Sequence, residues 1–579
     1  MLGHVRRGAT RGWSAIAVAV LLAVPAQAGA QGPLGPINDL LALGQGSGQT
    51  PDSVPKLERP EPPLVATPRA QCGPGSQPEP GIQGRVPAGS ADKGLWCNVT
   101  VVSHQGTSGG FKVLRYIDTQ GHECAFYDTA LLFPTNAINL SGPSLGVAVL
   151  DMSDHAHPVQ TDTLTEPPML SPHESLALNP KRGLLAAVLG NPSTYPGLVS
   201  IYDAHADCRH PVLQSTSLVA RFGHESGFAP DGKTFYATGT ALQAITAIDV
   251  TDPKAPYPIW QGNVISHGMS LSDDGNRAYI ADPTGGDMLI LDTSEIQARK
   301  PNPQAREISR LTWKSASIPQ NAIPITVHGK PYVLEFDEYT QATLSANGDP
   351  NAVGAGRIID ISDEKQPHVV SNLRLQVNQP ADHAAAAGDP GTTSPAQGYA
   401  GHYCNVPTRV DPKIVACSFI ASGLRVFDIS DLANPREIAY FVAPTNPATE
   451  NGYDGSNYAM SQPAFAPARH EIWYSDGASG FYALHVDDSV WPSETAPAKA
   501  CTKRRSFLAR VRVPRGAKVR SVRATLAGKR VRVVRRGHKR YATIRVPGNR
   551  RSATLVVRVR LRSGRTVTTR KVLRFCAAP

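Results

Sequence analysis

A short motif that recurs along the middle of the chain restricts its fold more than any other feature. Each copy is an apolar run that ends in Asp and leads into a turn that ends in Pro. Five copies share the spacing Asp-x-x-x-Pro in that turn: Asp154–Pro158, Asp207–Pro211, Asp252–Pro256, Asp363–Pro367 and Asp431–Pro435. A sixth copy keeps the apolar run before Asp292 but has a longer turn, and a seventh has His485 where the others have Asp.

The motif has the chemistry of a β-hairpin. An apolar run bounded by turn residues predicts a buried strand. The Asp carboxylate can accept backbone N–H groups in the turn, and Pro, which has no N–H to donate, suits the start of the next strand. Two further short strands precede the hairpin, for example after the turn Pro230-Asp231-Gly232. Four strands per repeat correspond to one blade of a β-propeller.

The intervals between repeats agree with blades. The Asp residues that end the apolar runs recur at intervals between 43 residues, from Asp249 to Asp292, and 68 residues, from Asp292 to Asp360. Propeller blades repeat at roughly 40 to 50 residues, and insertions in loops lengthen some of them. A solenoid is the alternative architecture, but it does not have a four-stranded unit. We therefore predict an all-β chain with a seven-bladed β-propeller of four-stranded blades over residues 91–490.

One copy of the motif carries a family resemblance. The segment Gly-Leu-Arg-Val-Phe-Asp-Ile-Ser-Asp-Leu-Ala-Asn-Pro, from Gly423 to Pro435, closely resembles the consensus of LVIVD-repeat proteins. Those are bacterial and archaeal propellers, often exported and mostly of unknown activity. The segments Ser171–Ser175 and Gly223–Gly232 also resemble parts of such proteins. The resemblance spans roughly residues 95 to 490 and implies the fold without implying any chemistry.

The N-terminal residues 1–30 have the composition of a secretory signal. Arginines precede an apolar core from Ala15 to Val24, and small residues around Ala28 and Ala30 offer cleavage sites. The apolar core is shorter than the about 20 residues that a membrane-spanning helix needs. An uncleaved anchor is the alternative. We expect a secreted or extracytoplasmic protein, with attachment to the cell surface as one form of this location.

Residues 31–90 are rich in Pro, Gly and Ser and have little periodicity, which predicts a mostly irregular leader that becomes ordered near Cys72. The chain has 8 cysteines, and an even number in an exported protein favours disulfides. Cys501 and Cys576 bracket the C-terminal segment, and we expect them to be bonded. Among the six cysteines before residue 500 we predict only the pair Cys72 and Cys97.

The charge is distributed unevenly. Residues 501–579 contain 26 Lys and Arg and no acidic residue, whereas the whole chain has 58 basic and 47 acidic residues. Apolar and basic residues alternate in this segment, which predicts half-buried antiparallel strands. We predict a small, basic β-sandwich of immunoglobulin-like character over residues 501–579, after a linker at residues 491–500. It resembles the Arg-rich modules of many exported bacterial proteins.

The basic module suggests its partners. Export argues against nucleic acid, so anionic cell-envelope polymers or lipid headgroups are the expected partners. The alternative is that the arginines only solubilise one face of the sandwich.

Four histidines form the candidate site. His173, His224, His267 and His402 each precede the first strand of a predicted blade, in blades two, three, four and six. First strands line the channel of a propeller, so a ring of neutral imidazoles could bind a transition metal such as copper, zinc or iron. Selenium-binding-type propellers, which this arrangement resembles loosely, are thought to use channel histidines with copper. The alternative is that each histidine is a structural polar group that joins one blade to the next.

Other residues are weaker candidates. His104 and His122 lack the position shared by the four histidines. Glu174 and Glu225 each follow one of them, either as groups that support a metal site or as solvated loop carboxylates. The repeated Asp residues suit hairpin turns better than calcium.

The sequence leaves the function open and assigns no catalytic residue. The leading hypothesis is a non-enzymatic binding or scaffold propeller of the cell envelope or medium with an unknown ligand. The second is a metal-dependent, copper-like oxidoreductase or a hydrolase that uses the channel histidines. The third is a wall- or surface-associated adhesion protein that acts through the basic module.

Overall fold

A computed structural model of the chain describes residues 48–129, 145–190, 196–239, 244–340, 349–393, 397–445, 456–492, 506–511, 518–537, 539–546 and 552–574. The predicted signal sequence, most of the predicted linker, and the pair Cys501 and Cys576 lie outside these residues. In the described part of the chain, no helix combines the length and apolar character needed to cross a membrane.

Three strands precede the first complete sheet: β1 (Lys56–Glu58), β2 (Leu95–Cys97) and β3 (Val99–Gln105). The strands of sheet I are β4 (Val113–Ile117), β5 (Glu123–Asp128), β6 (Val147–Asp151) and β7 (Val159–Leu164). Those of sheet II are β8 (Ala177–Asn179), β9 (Leu184–Val188), β10 (Gly197–Asp203) and β11 (Val212–Ala220). Those of sheet III are β12 (Glu225–Phe228), β13 (Thr234–Gly239), β14 (Ala244–Asp249) and β15 (Tyr257–Gly262).

Sheet IV consists of β16 (Met269–Leu271), β17 (Arg277–Asp282), β18 (Asp287–Asp292) and β19 (Arg306–Thr312), with β1 added at its edge. Sheet V consists of β20 (Ile318–Val327), β21 (Lys330–Glu338), β22 (Gly356–Asp360) and β23 (His368–Leu373). Sheet VI consists of β24 (Gly401–Asn405), β25 (Ile414–Phe419), β26 (Gly423–Asp428) and β27 (Arg436–Val442), with β2 at its edge. Sheet VII consists of β28 (Ala464–Ala466), β29 (Glu471–Asp476), β30 (Gly480–Val486) and β3.

These sheets form a β-propeller, as predicted. Within each sheet, neighbouring strands from I to VII pair antiparallel in sequence order, and β3 from the N-terminal side completes sheet VII by pairing with β30. The first strands of successive sheets contact one another from β8 through β12, β16 and β20 to β24. The first strands therefore line the central axis, and residues at their starts are brought together.

The repeated Asp residues act in the predicted turns. Oδ1 of Asp151 accepts the backbone N–H of Ser153 at 2.9 Å, and Asp203, Asp249, Asp292, Asp360 and Asp428 accept the N–H two residues on in the same way. In each of the five copies with the spacing Asp-x-x-x-Pro, the Pro lies directly before the fourth strand of its sheet, as Pro158 does before β7. Where His485 replaces Asp in sheet VII, Asp487 accepts the N–H of Ser489 at 2.8 Å instead.

Helices are few and short. The α-helices among the described residues are α1 (Pro167–Leu170), α2 (Ser294–Gln297) and α3 (His383–Ala386). The 3-10 turns are Gln376–Asn378, Pro380–Asp382, Pro390–Thr393, Ile420–Ser422 and Pro467–Arg469. The turn after Asp292, which is longer than in the other copies, contains α2.

The leader packs on the propeller from its first described residues. We call residues 48–98 the N-terminal belt. The N–H of Gln49 donates to the carbonyl of Gln261 at 2.9 Å, β1 pairs parallel with β19, and β2 pairs antiparallel with β27. The backbone of the belt is mostly irregular, and its contacts with the sheets begin at Gln49, well before Cys72.

Buried ion pairs attach the belt to the sheets. Glu79 Oε2 lies 2.7 Å from a guanidinium nitrogen of Arg425, whose other terminal nitrogen lies 3.1 Å from Glu437 Oε1. All three side chains are fully buried, and the guanidinium stacks on the Tyr440 ring at 4.4 Å. Because a buried charge is costly without its partners, Glu79 makes the belt part of the core of sheet VI.

Three disulfides join described cysteines. Cys72 bonds to Cys97 within the belt, which is the pair expected from the sequence. Cys124 of β5 bonds to Cys208, in the turn that follows β10, and so connects sheets I and II. Cys404 and Cys417 bond across β24 and β25. These bonds are consistent with an oxidising compartment outside the cytoplasm.

The C-terminal segment contains two further sheets. Its strands are β31 (Ser506–Val511), β32 (Val519–Leu526), β33 (Lys529–Val531), β34 (Val533–Arg536), β35 (Lys539–Arg545), β36 (Ser552–Leu561) and β37 (Thr566–Arg574). One sheet has the order β31-β35-β34 and the other β33-β32-β36-β37. Both contribute to one apolar cluster, for example Ile544 of β35 and Val557 of β36, while Arg558 and Arg560 of β36 are exposed.

We predict that Glu79→Ala destabilises the propeller by about 3 kcal/mol, because the buried guanidinium of Arg425 then faces Glu437 alone. The measurement is the free energy of unfolding in denaturant. Glu58→Ala, which removes an exposed carboxylate from β1 of the same belt, is the control and should change this free energy by less than about 0.5 kcal/mol. Equal effects of the two substitutions would contradict the structural role of the Glu79 pair.

Candidate metal centre in the propeller channel

The four candidate histidines lie at the starts of first strands. His173 and His224 come before β8 and β12, His267 lies two residues before β16, and His402 is the second residue of β24. All four side chains are buried, with at most 7 % of any residue exposed. The four histidines occupy the same position in their repeats, and this position brings their side chains together at the channel axis.

The carboxylate of Glu174 is the centre of this group. Its oxygens lie 3.9 Å from Nδ1 of His173, 3.3 Å from Nε2 of His224, 3.6 Å from Nε2 of His267 and 3.2 Å from Nε2 of His402. Glu174 is itself only 2 % exposed, so it is not a solvated loop carboxylate. The structure thus brings together all four histidines that the sequence singled out.

A second carboxylate, Glu338, completes the group and was missed in the sequence. It is the last residue of β21, the second strand of sheet V, and its oxygens lie 3.4 Å from Nε2 of His267 and 3.0 Å from Nε2 of His402. Sheet V has no histidine at the position shared by the other sheets. An acidic residue at the end of an otherwise buried strand is the signal that could have identified it.

Hydrogen bonds fix how two of the imidazoles face the carboxylates. Nδ1 of His267 contacts the carbonyl oxygen of Pro319 at 2.9 Å, and Nδ1 of His402 contacts that of Met460 at 2.7 Å. A carbonyl oxygen only accepts, so Nδ1 carries the proton in each case, and in a neutral ring Nε2 is then a lone pair. Lone pairs at Nε2 would face carboxylate oxygens at 3.0 to 3.6 Å, an arrangement that needs either a proton on Nε2 or a bound cation between the two groups.

The histidines of the group differ in how readily they take up a proton. Burial, followed by the neighbouring imidazole of His224, lowers the pKa of His173 well below its usual value, and burial also lowers the pKa of His267. Burial opposes the charged form of His402 as well, but its contacts with Glu174 and Glu338 raise its pKa to about 9. A protonated His402 would supply one positive charge beside two carboxylates.

His173 is held in an unusual backbone conformation. Its φ of +51° lies in the left-handed region, which residues other than Gly seldom adopt outside turns and functional sites. The ring packs between Phe111, at a centroid distance of 4.6 Å, and His224, at 4.2 Å. Its Nε2 has no hydrogen-bond partner among the described residues, which leaves this nitrogen able to bind a ligand.

A second polar group lies beside the first in the same channel. The carboxylate of Glu225 contacts Lys112 Nζ at 3.1 Å and accepts a hydrogen bond from Asn321 Nδ2. Gly268 makes room for it, because a Cβ atom there would lie 1.5 Å from Oε2 of Glu225. Burial raises the pKa of Glu225 to about 7. Glu225 is therefore also buried rather than solvated, but it faces Lys112 instead of the histidines.

The two weaker candidates lie elsewhere. His104 stacks on Tyr482 at a centroid distance of 4.5 Å, and its Nε2 contacts the carbonyl of Ser479. His122 contacts Asp118 at 2.8 Å and lies 3.7 Å from Asp207, in a partly exposed turn. Neither belongs to the channel group.

No protein-family model matches this chain, and no curated protein matches it significantly. Solved structures that are similar include the periplasmic gluconolactonase of Pseudomonas aeruginosa, with 13 % identity, a TM-score of 0.40, and coverage of 60 % of this chain and 93 % of that one. Hydrazine synthase of Kuenenia stuttgartiensis is 12 % identical with a TM-score of 0.41, over 66 % and 96 % of the two chains. The β-propeller domain of Myceliophteria thermophila Cps50 (Swd1) is 11 % identical with a TM-score of 0.40, over 67 % and 99 %. No activity follows from likenesses this distant.

We predict that Gly268→Ala disturbs the channel and destabilises the protein by about 1 to 3 kcal/mol, because the new methyl group would overlap the Glu225 carboxylate. Thermal unfolding measures this effect. Gly388→Ala is the matched control, because a Cβ at Gly388 meets no atom within 4 Å. If the two substitutions shift the unfolding midpoint equally, the close contact between Gly268 and Glu225 is wrong.

Proposed function

We propose that the protein is an exported, seven-bladed propeller of the LVIVD type whose channel binds one divalent transition-metal ion. The function that we infer is that of a metal-dependent enzyme, an oxidoreductase or a hydrolase. One observation carries this proposal: Nδ1 of His267 and of His402 donates to a backbone carbonyl, so that Nε2 of both rings is directed at Glu174 and Glu338. Histidines that bind metals are oriented in this way by hydrogen bonds from their second nitrogen.

The residues present fit a metal of the imidazole-binding class. The four histidines would supply nitrogen ligands, which copper, zinc and iron accept, and Glu174 and Glu338 would supply carboxylate oxygens. A bound ion would act as a Lewis acid or as an electron-transfer centre. The carbonyls of Pro319 and Met460 would keep two of the imidazoles in the tautomer that binds the ion.

The burial of this group favours a metalloprotein over the scaffold function. Two carboxylates and four imidazoles are taken out of water, and such burial destabilises a fold unless the charges are compensated. A propeller that served only as a scaffold could fill its channel with apolar side chains and gain stability. A bound cation offsets the cost, so the charged channel is explained if it holds an ion.

We predict that the secreted protein contains about one transition-metal ion per chain. Elemental analysis of the purified protein gives the stoichiometry, and titration of the metal-depleted protein with Cu²⁺, Zn²⁺ or Fe²⁺ gives the affinity. His402→Ala should weaken binding at least about 10-fold, since it removes a ligand that a carbonyl orients. His104→Ala is the control and should bind metal like the parent.

Two results would refute the metal centre. One is a correctly folded protein that binds none of the three ions. The other is a His402→Ala variant that binds them as tightly as the His104→Ala control.

A second function rests on the C-terminal segment, for which we propose an immunoglobulin-like module that binds anionic cell-envelope polymers or lipid headgroups. Arg523 pairs directly with Arg558 across β32 and β36, and Arg535 pairs with Arg540 across β34 and β35. Like charges in directly opposed positions destabilise a sheet. A polyanion that neutralises them would remove this repulsion, which would attach the protein to the cell surface.

We predict that the full-length protein sediments with anionic wall polymer or with vesicles that contain anionic lipid, and that a chain ending at Ala500 does not. Binding should weaken steeply with added salt, because salt screens exposed charges beyond about 8 Å at physiological ionic strength. Vesicles of neutral lipid are the control. Equal binding by the two chains, or binding that salt does not change, would contradict the proposal.

A further inference from the structure

Three reactive side chains meet in the channel beside the histidines, and the metal centre does not use them. Lys112 lies next to β4 of sheet I, Glu225 begins β12 of sheet III, and Asn321 belongs to β20 of sheet V. All three residues are at least nine-tenths buried. They come from three different sheets, so only the closing of the propeller brings them together.

One carboxylate oxygen joins the other two residues. Oε1 of Glu225 lies 3.1 Å from Nζ of Lys112 and accepts the hydrogen bond from Nδ2 of Asn321. The amine and the amide are thus both held at the same atom. The ring of Tyr403, whose centroid is 4.0 Å from Nζ, covers the amine and excludes water from it.

The amide carbonyl of Asn321 is polarised. Its Oδ1 accepts the backbone N–H of Ala322 at 2.6 Å and the hydroxyl of Ser270 at 3.2 Å. Two donors on a carbonyl oxygen stabilise the negative charge that develops there when a nucleophile adds to the carbon. A nucleophile, a group that moves protons, and an activated carbonyl are therefore assembled in one dry site.

We propose that Lys112 and Asn321 become joined by an isopeptide bond, with Glu225 as the group that transfers the protons. Lys112 passes a proton to Glu225, and the free amine adds to Cγ of Asn321. The bond from Cγ to Nδ2 then breaks, and the former amide nitrogen leaves as ammonia. Of the three protons on the Lys112 ammonium group, one stays in the new amide, one completes the ammonia and one remains on Glu225.

The reaction needs neither an oxidant nor a metal, so it is independent of the proposed metal centre. Its product would join sheets I and V covalently across the channel. A crosslink between positions so far apart in sequence restricts the unfolded chain strongly and so stabilises the folded one. It would also replace a buried Lys–Glu ion pair by an uncharged amide beside the histidines.

Peptide mapping of the full-length, purified protein tests the proposal. Trypsin should not cut after an acylated Lys112, so the digest of the reduced protein should contain residues 94–115 joined to residues 315–357. The joined peptide should weigh about 17 Da less than the sum of its two parts, which is the mass of the ammonia released. Fragmentation should locate the bond between Lys112 and Asn321.

Variants provide the matched comparison. Lys112→Arg keeps a cation beside Glu225 but cannot form the bond, and Glu225→Gln removes the proton acceptor, so both should give the two peptides unjoined. Lys56→Arg, a change of the same kind in the belt, should leave the joined peptide in place. The bond should also raise the midpoint of thermal unfolding of the parent above that of Lys112→Arg.

The parent protein decides the question even if a variant does not fold. Cleavage after Lys112, with both peptides at their full masses, would overturn the proposal. Persistence of the joined peptide in Glu225→Gln would overturn the role of Glu225.

Discussion

The contact of one buried carboxylate, that of Glu174, with four imidazoles is the interaction on which the centre of the molecule depends. Each imidazole comes from a different sheet, and each has a nitrogen within 3.9 Å of a Glu174 oxygen. The sheets can approach the axis this closely only if the charge is compensated. With Glu338 present as a second anion, protons on the histidines or a bound cation must supply that compensation. The fold and the proposed chemistry therefore depend on the same few atoms.

The third strands of sheets V and VI also carry buried charges that are compensated by ion pairs. Arg425 and Arg357 are fully buried, and each lies against two or more carboxylates. One carboxylate in each group, Glu79 and Glu61, comes from the N-terminal belt. Removing either partner would leave a buried charge uncompensated, so the belt is bound to the sheets by more than its short strands. Ionic contacts thus occur both among the sheets at the axis and between the belt and sheets V and VI.

The sequence predicts those features of the structure that depend on neighbouring residues or on a position that recurs in each repeat. Asp151 and its counterparts end strands because the turn needs an acceptor at that position, and this can be recognised without the fold. The four histidines share a position in the repeat, so the closing of a ring brings them together. Glu338 and Lys112 occupy no shared position, and their role depends on which side chains lie opposite them across the axis. The sequence of the belt has no periodicity from which its order could be predicted. The belt is ordered instead by carboxylates such as Glu79, which pair with arginines that are distant in the sequence.

The paired segments His173-Glu174-Ser175 and His224-Glu225-Ser226 show how far a repeat determines chemistry. They occupy equivalent positions in sheets II and III, and Glu174 and Glu225 form a backbone bridge with each other. One carboxylate nevertheless meets imidazoles, and the other meets an amine and an amide. The difference arises from sheets I and V, which present Lys112 and Asn321 to one of them. The shared segment therefore places a glutamate at the axis in both sheets. The side chains that the facing sheets contribute determine which groups each carboxylate contacts.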